Sequence, residues 1–170
     1  ELTSPVSYVL FDLDNTLYPA SNSLFPLIHE RINRFMHKRA GIPKDQVDVL
    51  RRKYWAKYGI SMVGLMRHHA VDPEEFLEYV HDVDVEGVLR PNPVVAEMLQ
   101  ALPGIKVVLT NGSHGHARRV LEALGIQSAF THIYDVRVAA YRPKPHPEPY
   151  QEVLRCLGLP GSRCAMVEDM

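Results

Sequence analysis

Apolar residues along this chain occur at two spacings, one typical of strands and one typical of helices. The first run, Val9 to Phe11, is short and continuous, which is typical of a buried strand. Three later runs have the same character: Ile105 to Leu109, Ile133 to Val138 and Cys164 to Val167. The pattern therefore predicts one strand near the start of the chain and three more after residue 100.

Between the first two predicted strands, apolar residues recur only at helical spacing. Four such runs lie between about residue 20 and residue 86. The first is closed by Gly41 and the second by Gly59, as is common at helix ends. The fourth begins after Asp72, an acid suited to capping a helix that has Pro73 in its first position. Because four successive helices interrupt the alternation of strands and helices, we expect residues 20–86 to be an all-helical insert.

After residue 86 the alternation returns. One helix is expected to start at Asn92-Pro93, and two others precede Gly125 and Gly158. Strands that are joined through helices form parallel sheets with right-handed crossovers. The predicted fold class is α/β, a doubly wound, Rossmann-like parallel sheet. Residues 1–19 and 87–170 are expected to form this core, and residues 20–86 a helical cap inserted after strand 1.

Composition narrows the class of protein. The 170 residues are 46% hydrophobic and carry a formal charge of -1, so no overall charge favours nucleic acid or a membrane surface as a partner. The basic triplet Arg51-Arg52-Lys53 is interpreted as a solvated helix face. Two cysteines without C-x-x-C spacing, together with the lack of a long apolar stretch, favour a reduced, cytoplasmic protein.

Polar residues of one chemical kind follow three of the predicted strands. Asp12 and Asp14 stand two apart after the first strand, so their side chains point to the same side. The other strand ends and one loop add further candidates, namely Thr110 and Asn111, Glu168 and Asp169, and Lys144 between two prolines. In open α/β sheets, ligands bind at the carboxyl edge of the strands. We therefore expect these residues to form one site.

Their chemistry fits transfer of a phosphoryl group. Carboxylate oxygens suit Mg²⁺, which shares its coordination shell with substrate phosphate. Lys144 and the Thr110 hydroxyl are expected to hold phosphate oxygens, and Thr16 and Asn111 are further candidates for substrate binding. Asp12 would be the nucleophile, with the metal and Lys144 offsetting repulsion between like charges. Asp14 would protonate the leaving oxygen and later deprotonate a water molecule.

In this order the residues resemble the haloacid dehalogenase-like superfamily, whose four motifs are D-x-D-x-T, S/T, K and an acidic pair. The helical insert falls where that superfamily places its cap. Asp14-Asn15-Thr16-Leu17-Tyr18 and Tyr54-Trp55-Ala56-Lys57-Tyr58-Gly59 resemble the pyrimidine 5′-nucleotidase branch. The resemblance implies a Mg²⁺-dependent nucleoside monophosphatase whose metal is ligated by Asp12, the main-chain carbonyl of Asp14 and Asp169.

The acidic pair lies at the end of the given sequence. Members of the superfamily continue past it with another strand and helix, whereas this sequence stops after Met170. We therefore expect the last sheet element to be absent from the chain as given. Glu168 is a candidate for the metal site, with a supporting or solvent-facing position as the alternative.

Candidates in the cap rest on weaker patterns. Tyr54, Trp55 and Tyr58 are expected to supply a ring that stacks on a base, although helical packing is the competing interpretation of the two tyrosines. The nine histidines show no zinc-like spacing, and His116 is not placed among the site residues.

Three other functions remain open: another small-metabolite phosphatase, a sugar-phosphate mutase and, more remotely, a phospho-accepting receiver-type signalling module. The sequence does not indicate an oligomeric state.

Overall fold

The computed structural model describes residues 6–169, and a parallel β-sheet lies at its centre. Its strands are β1 (Tyr8–Phe11), β2 (Ile105–Leu109), β3 (His132–Tyr134) and β4 (Cys164–Val167). They lie in the order β3-β2-β1-β4, and every pairing is parallel. The predicted α/β fold with a parallel sheet is confirmed.

Helices fill most of the segment between β1 and β2. Six helices lie there: α1 (Leu24–Lys38), α2 (Lys44–Tyr58), α3 (Ser61–His69), α4 (Pro73–His81), α5 (Val85–Val88) and α6 (Pro93–Ala101). The remaining crossovers contain α7 (His114–Leu124), between β2 and β3, and α8 (Pro147–Leu157), between β3 and β4. The expected caps form, since Asp72 accepts from the amide of Glu74 and Asn92 from that of Val95. Among residues 6–169 no helix is both long and apolar enough to cross a membrane.

Two elements differ from the sequence prediction. A fifth short helix, α5, crosses the predicted boundary at residue 86. The third strand ends at Tyr134 rather than Val138, and a 3₁₀ turn spans Val136–Ala139. Asp135 causes the change, because its side chain accepts a hydrogen bond from the amide of Arg137 and so caps the turn. The β-branched run of this segment was therefore not sufficient evidence for a strand.

Alternate side chains of the sheet pack on helices on both of its faces. Val9, Phe11 and Val108 lie in one apolar cluster with α7, whereas Leu10 and Val107 lie in another with Val153 of α8. This arrangement is what a doubly wound sheet requires. It leaves the carboxyl edge of the strands uncovered by these helices.

The helices between β1 and β2 have an apolar cluster largely of their own. Phe35 and Met36 of α1 pack there with residues of α2, α3 and α4, and Val136 is the buried contribution from outside the insert. Leu24 and Ile28, at the other end of α1, belong instead to the cluster of the sheet. Helix α1 therefore takes part in both clusters, and within the insert it packs on α2 and α4.

Candidate active site

The carboxyl ends of β1, β2 and β4 lie side by side at one edge of the sheet. Phe11, the last residue of β1, is in register with Val108 of β2 and Val167 of β4. The amide of Asp12 donates to the carbonyl of Val167 at 2.9 Å, which extends this pairing by one residue. The polar residues that follow these strands are therefore neighbours in space, as the parallel arrangement predicted.

Lys144 is the centre of the charged part of this edge. Its side chain is 1% exposed, and Nζ lies 2.8 Å from Oδ1 of Asp12 and 2.6 Å from Oε1 of Glu168. A buried ammonium group is costly unless carboxylates surround it, and here two do. The lysine is thus fixed beside Asp12.

Two residues assigned to ligands in the sequence analysis, Asn111 and Glu168, also support Lys144. Asn111 donates to the main-chain carbonyl of Lys144 at 3.1 Å and accepts from its amide at 2.7 Å, so both ends of its side chain are occupied. Glu168 accepts from Lys144 through Oε1 and from Tyr150 through Oε2 at 3.3 Å. Both residues also line the cavity described below, so the roles of Asn111 in substrate binding and of Glu168 in the metal site stay predictions. Both residues position the lysine.

Asp12 is a buried carboxylate with two donors. Besides Lys144, the hydroxyl of Thr16 donates to its Oδ2 at 3.1 Å. Burial raises the pKa of Asp12 above its usual value, and the charge and hydrogen bond of Lys144 oppose that rise. Thr16 therefore contacts the proposed nucleophile, although the sequence analysis assigned it to the substrate.

Asp14 has different neighbours. The hydroxyl of Tyr18 donates to Oδ1 at 2.6 Å, and Nε2 of His116 lies 2.9 Å from the same oxygen. Burial raises the pKa of Asp14, but the charge and hydrogen bond of His116 and the hydroxyl of Tyr18 lower it more, so the pKa lies below its ordinary value. The two carboxylates of the motif therefore have pKa values shifted in opposite directions.

Sequence reasoning missed Tyr18 and His116 as members of the site. Tyr18 is the fourth residue after Asp14, and it was quoted only as part of the motif. His116 lies in the first turn of α7, directly after the loop that carries Thr110. That position was the available signal, but a single helical histidine does not indicate its partner.

Thr110 directly follows β2 and is buried. Its hydroxyl oxygen accepts from the amide of Gly112 at 3.0 Å, which gives the loop a tight turn. A methyl group on Gly112 would lie 3.4 Å from this oxygen and 3.5 Å from Nε2 of His81. The loop thus passes between the end of β2 and the last residue of α4.

One cavity of about 430 Å³ joins this edge of the sheet to the helical insert. Asp12, Asp14, Thr110, Lys144 and Asp169 line it on the sheet side. The wall formed by the insert is mainly apolar and includes Phe25, Ile28, Ile32, Met62, Phe76, Leu77 and Val80. A phosphate group bound near Asp12 would therefore have its ester group between the sheet and the insert.

Helix α2 turns a basic and aromatic face towards this cavity. Arg51, Arg52 and Trp55 line it, and Trp55 is 64% exposed. The interpretation of the basic triplet as a solvated face is wrong for Arg51, whose Nε is buried without a hydrogen-bond partner among residues 6–169. Trp55 is the one predicted aromatic residue of α2 that borders the cavity.

Tyr54 and Tyr58 do not line this cavity. Their hydroxyl groups lie 2.9 Å and 2.7 Å from Nε2 of His69 and of His68, on the side of α2 that packs on α3. Both rings are buried. The prediction that either ring reaches the substrate is corrected, because the helical period that relates them also places them on the packed face.

Several oxygen atoms at this edge of the sheet could ligate a metal ion. Within residues 6–169 no three side chains of His, Cys, Asp or Glu form a ready metal cluster. Of the carboxylates that line the cavity, Asp12, Glu168 and Asp169 are the side-chain candidates, together with the main-chain carbonyl of Asp14. Mg²⁺ usually takes one or two carboxylates and completes its shell with water and phosphate. This donor set therefore fits Mg²⁺ better than a metal that requires an all-protein cage.

Comparisons with known proteins agree with this geometry. A family model described as a haloacid dehalogenase-like hydrolase matches residues 6–170. Phosphate metabolism protein 8 of Saccharomyces cerevisiae is 29% identical over an alignment of 131 residues, and the match covers 71% of this chain and 40% of that protein. The chain thus spans less than half the length of this curated relative.

Solved structures resemble the fold as a whole. CbbY from Rhodobacter sphaeroides, in complex with phosphate, has a TM-score of 0.63 and 17% identity, over 95% of this chain and 76% of that chain. The HAD-hydrolase YfnB from Bacillus subtilis, bound to magnesium, has a TM-score of 0.54 and 14% identity, over 96% of this chain and 78% of that one. At these identities the likeness shows the fold.

Proposed function

The chain belongs to the haloacid dehalogenase-like hydrolase family, and we propose that it is a phosphatase in which Asp12 attacks phosphomonoesters. The observation that supports this most directly is the contact of buried Lys144 with both Asp12 and Glu168. It places a fixed positive charge beside the nucleophile, where the phosphate must bind. Membership of a hydrolase family replaces the receiver-type signalling module as an interpretation.

The reaction follows from the two carboxylates. An oxygen of Asp12 bonds to phosphorus while the bond to the ester oxygen breaks, and Asp14 gives that oxygen a proton. A water molecule then attacks phosphorus, Asp14 takes its proton, and the bond to Asp12 breaks to release phosphate. The arrival of a phosphate dianion favours the protonated form of Asp14, which is needed in the first step.

Mg²⁺ is the proposed cofactor. Asp12, the carbonyl of Asp14 and Asp169 would hold it, and a bound ion would offset the negative charge of the phosphate. Support comes from this donor set and from the magnesium bound to YfnB, which shares the fold. Lys144 supplies a second positive charge from the protein itself.

We assign residues 20–86 to a cap that selects the ester group. Phosphate contacts come from the strand ends, so discrimination among substrates falls to the cavity wall formed by α1 to α4. Trp55 offers a planar face for a base, and stacking of this kind is worth about 1–3 kcal/mol. Arg51 and Arg52 add donors beside it. A nucleoside 5′-monophosphate, with a pyrimidine as its base, is our first candidate substrate.

A second candidate substrate class follows from the rest of the wall. Phe25, Ile28, Ile32, Phe76 and Val80 offer no hydrogen bonds to ribose hydroxyls. Such a wall suits a phosphate ester of a less polar alcohol. The chain would then be a small-metabolite phosphatase of another specificity, with the same catalytic residues.

A panel of phosphate esters tests both the proposed phosphatase activity and the proposed preference for nucleotides. Purified protein is assayed with UMP, CMP, AMP, hexyl phosphate, sugar phosphates and p-nitrophenyl phosphate, in Mg²⁺ and in EDTA. We expect hydrolysis that requires Mg²⁺, with the highest kcat/KM for UMP or CMP. Highest kcat/KM for hexyl phosphate would reject the nucleotidase and keep the phosphatase. No activity on any ester above that of Asp12→Asn would reject the phosphatase.

A further inference from the structure

The two oxygens of Asp14 have different surroundings. Oδ1 accepts from Tyr18 and lies 2.9 Å from Nε2 of His116. Within residues 6–169, Oδ2 has no hydrogen-bond partner from the protein, although Asp14 lines the cavity. Two donors on one oxygen fix the rotation of the carboxyl group. Oδ2 is therefore the oxygen left to exchange a proton with a substrate.

His116 is held so that its Nε2 faces Asp14. The residue is buried in the first turn of α7, and its amide donates to the hydroxyl of Ser113 at 3.3 Å. Its Nδ1 is buried without a partner among the described residues. A neutral ring with its proton on Nδ1 would bury a donor without an acceptor, and it would set the lone pair of Nε2 against Oδ1. The geometry therefore requires a proton on Nε2, donated to Asp14.

His81, the last residue of α4, holds the other side of this ring. The two imidazoles stack with centroids 4.4 Å apart and planes 12° apart. Nδ1 of His81 lies 3.0 Å from the hydroxyl oxygen of Ser113, the residue that caps α7. A residue of the helical insert thus fixes the ring that contacts Asp14.

We propose that His116 is a positioning residue for Asp14, and that His81 keeps its ring in the productive orientation. The inference rests on the proposed phosphatase function and identifies the oxygen that acts in it. With Oδ1 held by His116 and Tyr18, Asp14 presents Oδ2 to the ester oxygen. Without that hold, the carboxyl group turns and the proton is less often in line with the leaving group.

The loss of activity in a variant distinguishes positioning of Asp14 from a general structural effect if that loss depends on the leaving group of the substrate. The departure of p-nitrophenolate needs little protonation, whereas an alkoxide from UMP or hexyl phosphate needs a proton. The quantity compared is kcat/KM, which covers the steps up to loss of the leaving group. Asp14→Asn serves as the reference, and it is expected to lose far more activity on alkyl esters than on the aryl ester.

Two substitutions of His116 form a matched pair. His116→Leu removes the donor, and His116→Gln keeps an N–H near the position of Nε2. We expect His116→Leu to lower kcat/KM about 10- to 100-fold for alkyl esters and less than about threefold for p-nitrophenyl phosphate. His116→Gln should regain most of the loss. Equal losses on both esters in folded His116→Leu, or no loss, would overturn the proposal.

His81 is tested in the same way. His81→Ala should lower kcat/KM for alkyl esters more than kcat/KM for the aryl ester, as His116→Leu does. His81→Phe should preserve the ratio of the two values, because it keeps a flat ring against His116. An unchanged ratio in His81→Ala would reject the role of His81.

A measurement that does not depend on turnover tests the contact of His116 with Asp14 independently of the proposed function. Nitrogen-15 NMR of the histidine rings reports which nitrogen of His116 carries a proton. We expect a proton on Nε2 in the wild type. A neutral ring protonated only on Nδ1 would overturn the contact, whatever the enzyme hydrolyses. A proton on Nε2 in a protein that cleaves no phosphate ester would reject the phosphatase and leave the contact standing.

Discussion

At the scale of single residues, Asp12 and Asp14 have the same side chain but different neighbours and therefore different proposed roles. They are two positions apart, yet Asp12 contacts Lys144 and Thr16, whereas Asp14 contacts Tyr18 and His116. Burial raises the pKa of Asp12, and for Asp14 the neighbouring donors outweigh burial and lower the pKa. Pairs of titratable groups with opposite shifts are typical of catalytic sites.

Asp12→Asn is expected to remove turnover and leave the fold intact. The amide is nearly the same size as the carboxylate, but it does not form an acyl phosphate. Release of phosphate measures the loss, and circular dichroism with thermal unfolding verifies the fold. A folded variant that keeps about a tenth of wild-type activity would contradict covalent catalysis by Asp12.

Helix α2 has one face that lines the cavity and another that packs on α3. Arg51, Arg52 and Trp55 line the cavity, while Tyr54 and Tyr58 pack on α3 and its histidines. Arg51 is also held by Asp48, with Nη2 3.1 Å from Oδ1. The face with Trp55 is thus available to a ligand, and the opposite face stabilises the insert.

Trp55→Ala is expected to raise KM for UMP and CMP roughly five- to a hundred-fold, since stacking contributes ~1–3 kcal/mol. KM for p-nitrophenyl phosphate should change much less. Val49→Ala is the control, because Val49 lies on the same helix, is 66% exposed against 64% for Trp55, and does not line the cavity. Unchanged KM for both nucleotides in folded Trp55→Ala would show that the base binds elsewhere.

At the scale of the whole molecule, charged contacts fasten the insert to the segments around the sheet. Glu74 of α4 accepts from Arg137 at 2.8 Å and 2.6 Å and also from Tyr141, both of which follow β3. Glu86 makes a similar pair with Arg119 of α7, at 2.7 Å. With Val136 in the apolar cluster of the insert, these contacts place α4, and with it His81, over the site.

Glu74→Gln is expected to lower the free energy of unfolding at pH 7 by about 0.5–1 kcal/mol, as for exposed ion pairs screened by water. The hydrogen bonds from Arg137 and Tyr141 lower the pKa of Glu74 from 4.5 to about 2. Because the folded pKa is the lower one, this contribution is present at neutral pH and is lost as pH falls through that range.

Urea unfolding of wild type and variant at pH 7 and pH 3 measures the difference. Glu78→Gln is the control, because Glu78 is exposed on the same helix and has no ion pair among the described residues. If Glu74→Gln lowers the free energy of unfolding as much at pH 3 as at pH 7, the ionised Glu74 carboxylate is not the source of the stabilisation.

Several features of the fold followed from local sequence patterns. The limits of β2 and β4, and the caps at Asp72 and Asn92, depend on a few adjacent residues, and the structure confirms them. Asn15 has φ of +62°, a backbone conformation that asparagine tolerates better than most residues. The convergence of the strand ends was also predictable, because parallel strands end at a common edge.

Only the tertiary structure decided which partner each polar side chain has. Asn111 and Glu168 line the cavity and also hold Lys144, a contact that the sequence did not indicate, and His116 reaches Asp14 from 102 positions away. Helical spacing shows which residues of α2 share a face, but it does not show whether that face meets α3 or the cavity. Local pattern determines elements because backbone geometry is local, whereas hydrogen-bond partners depend on how distant elements pack.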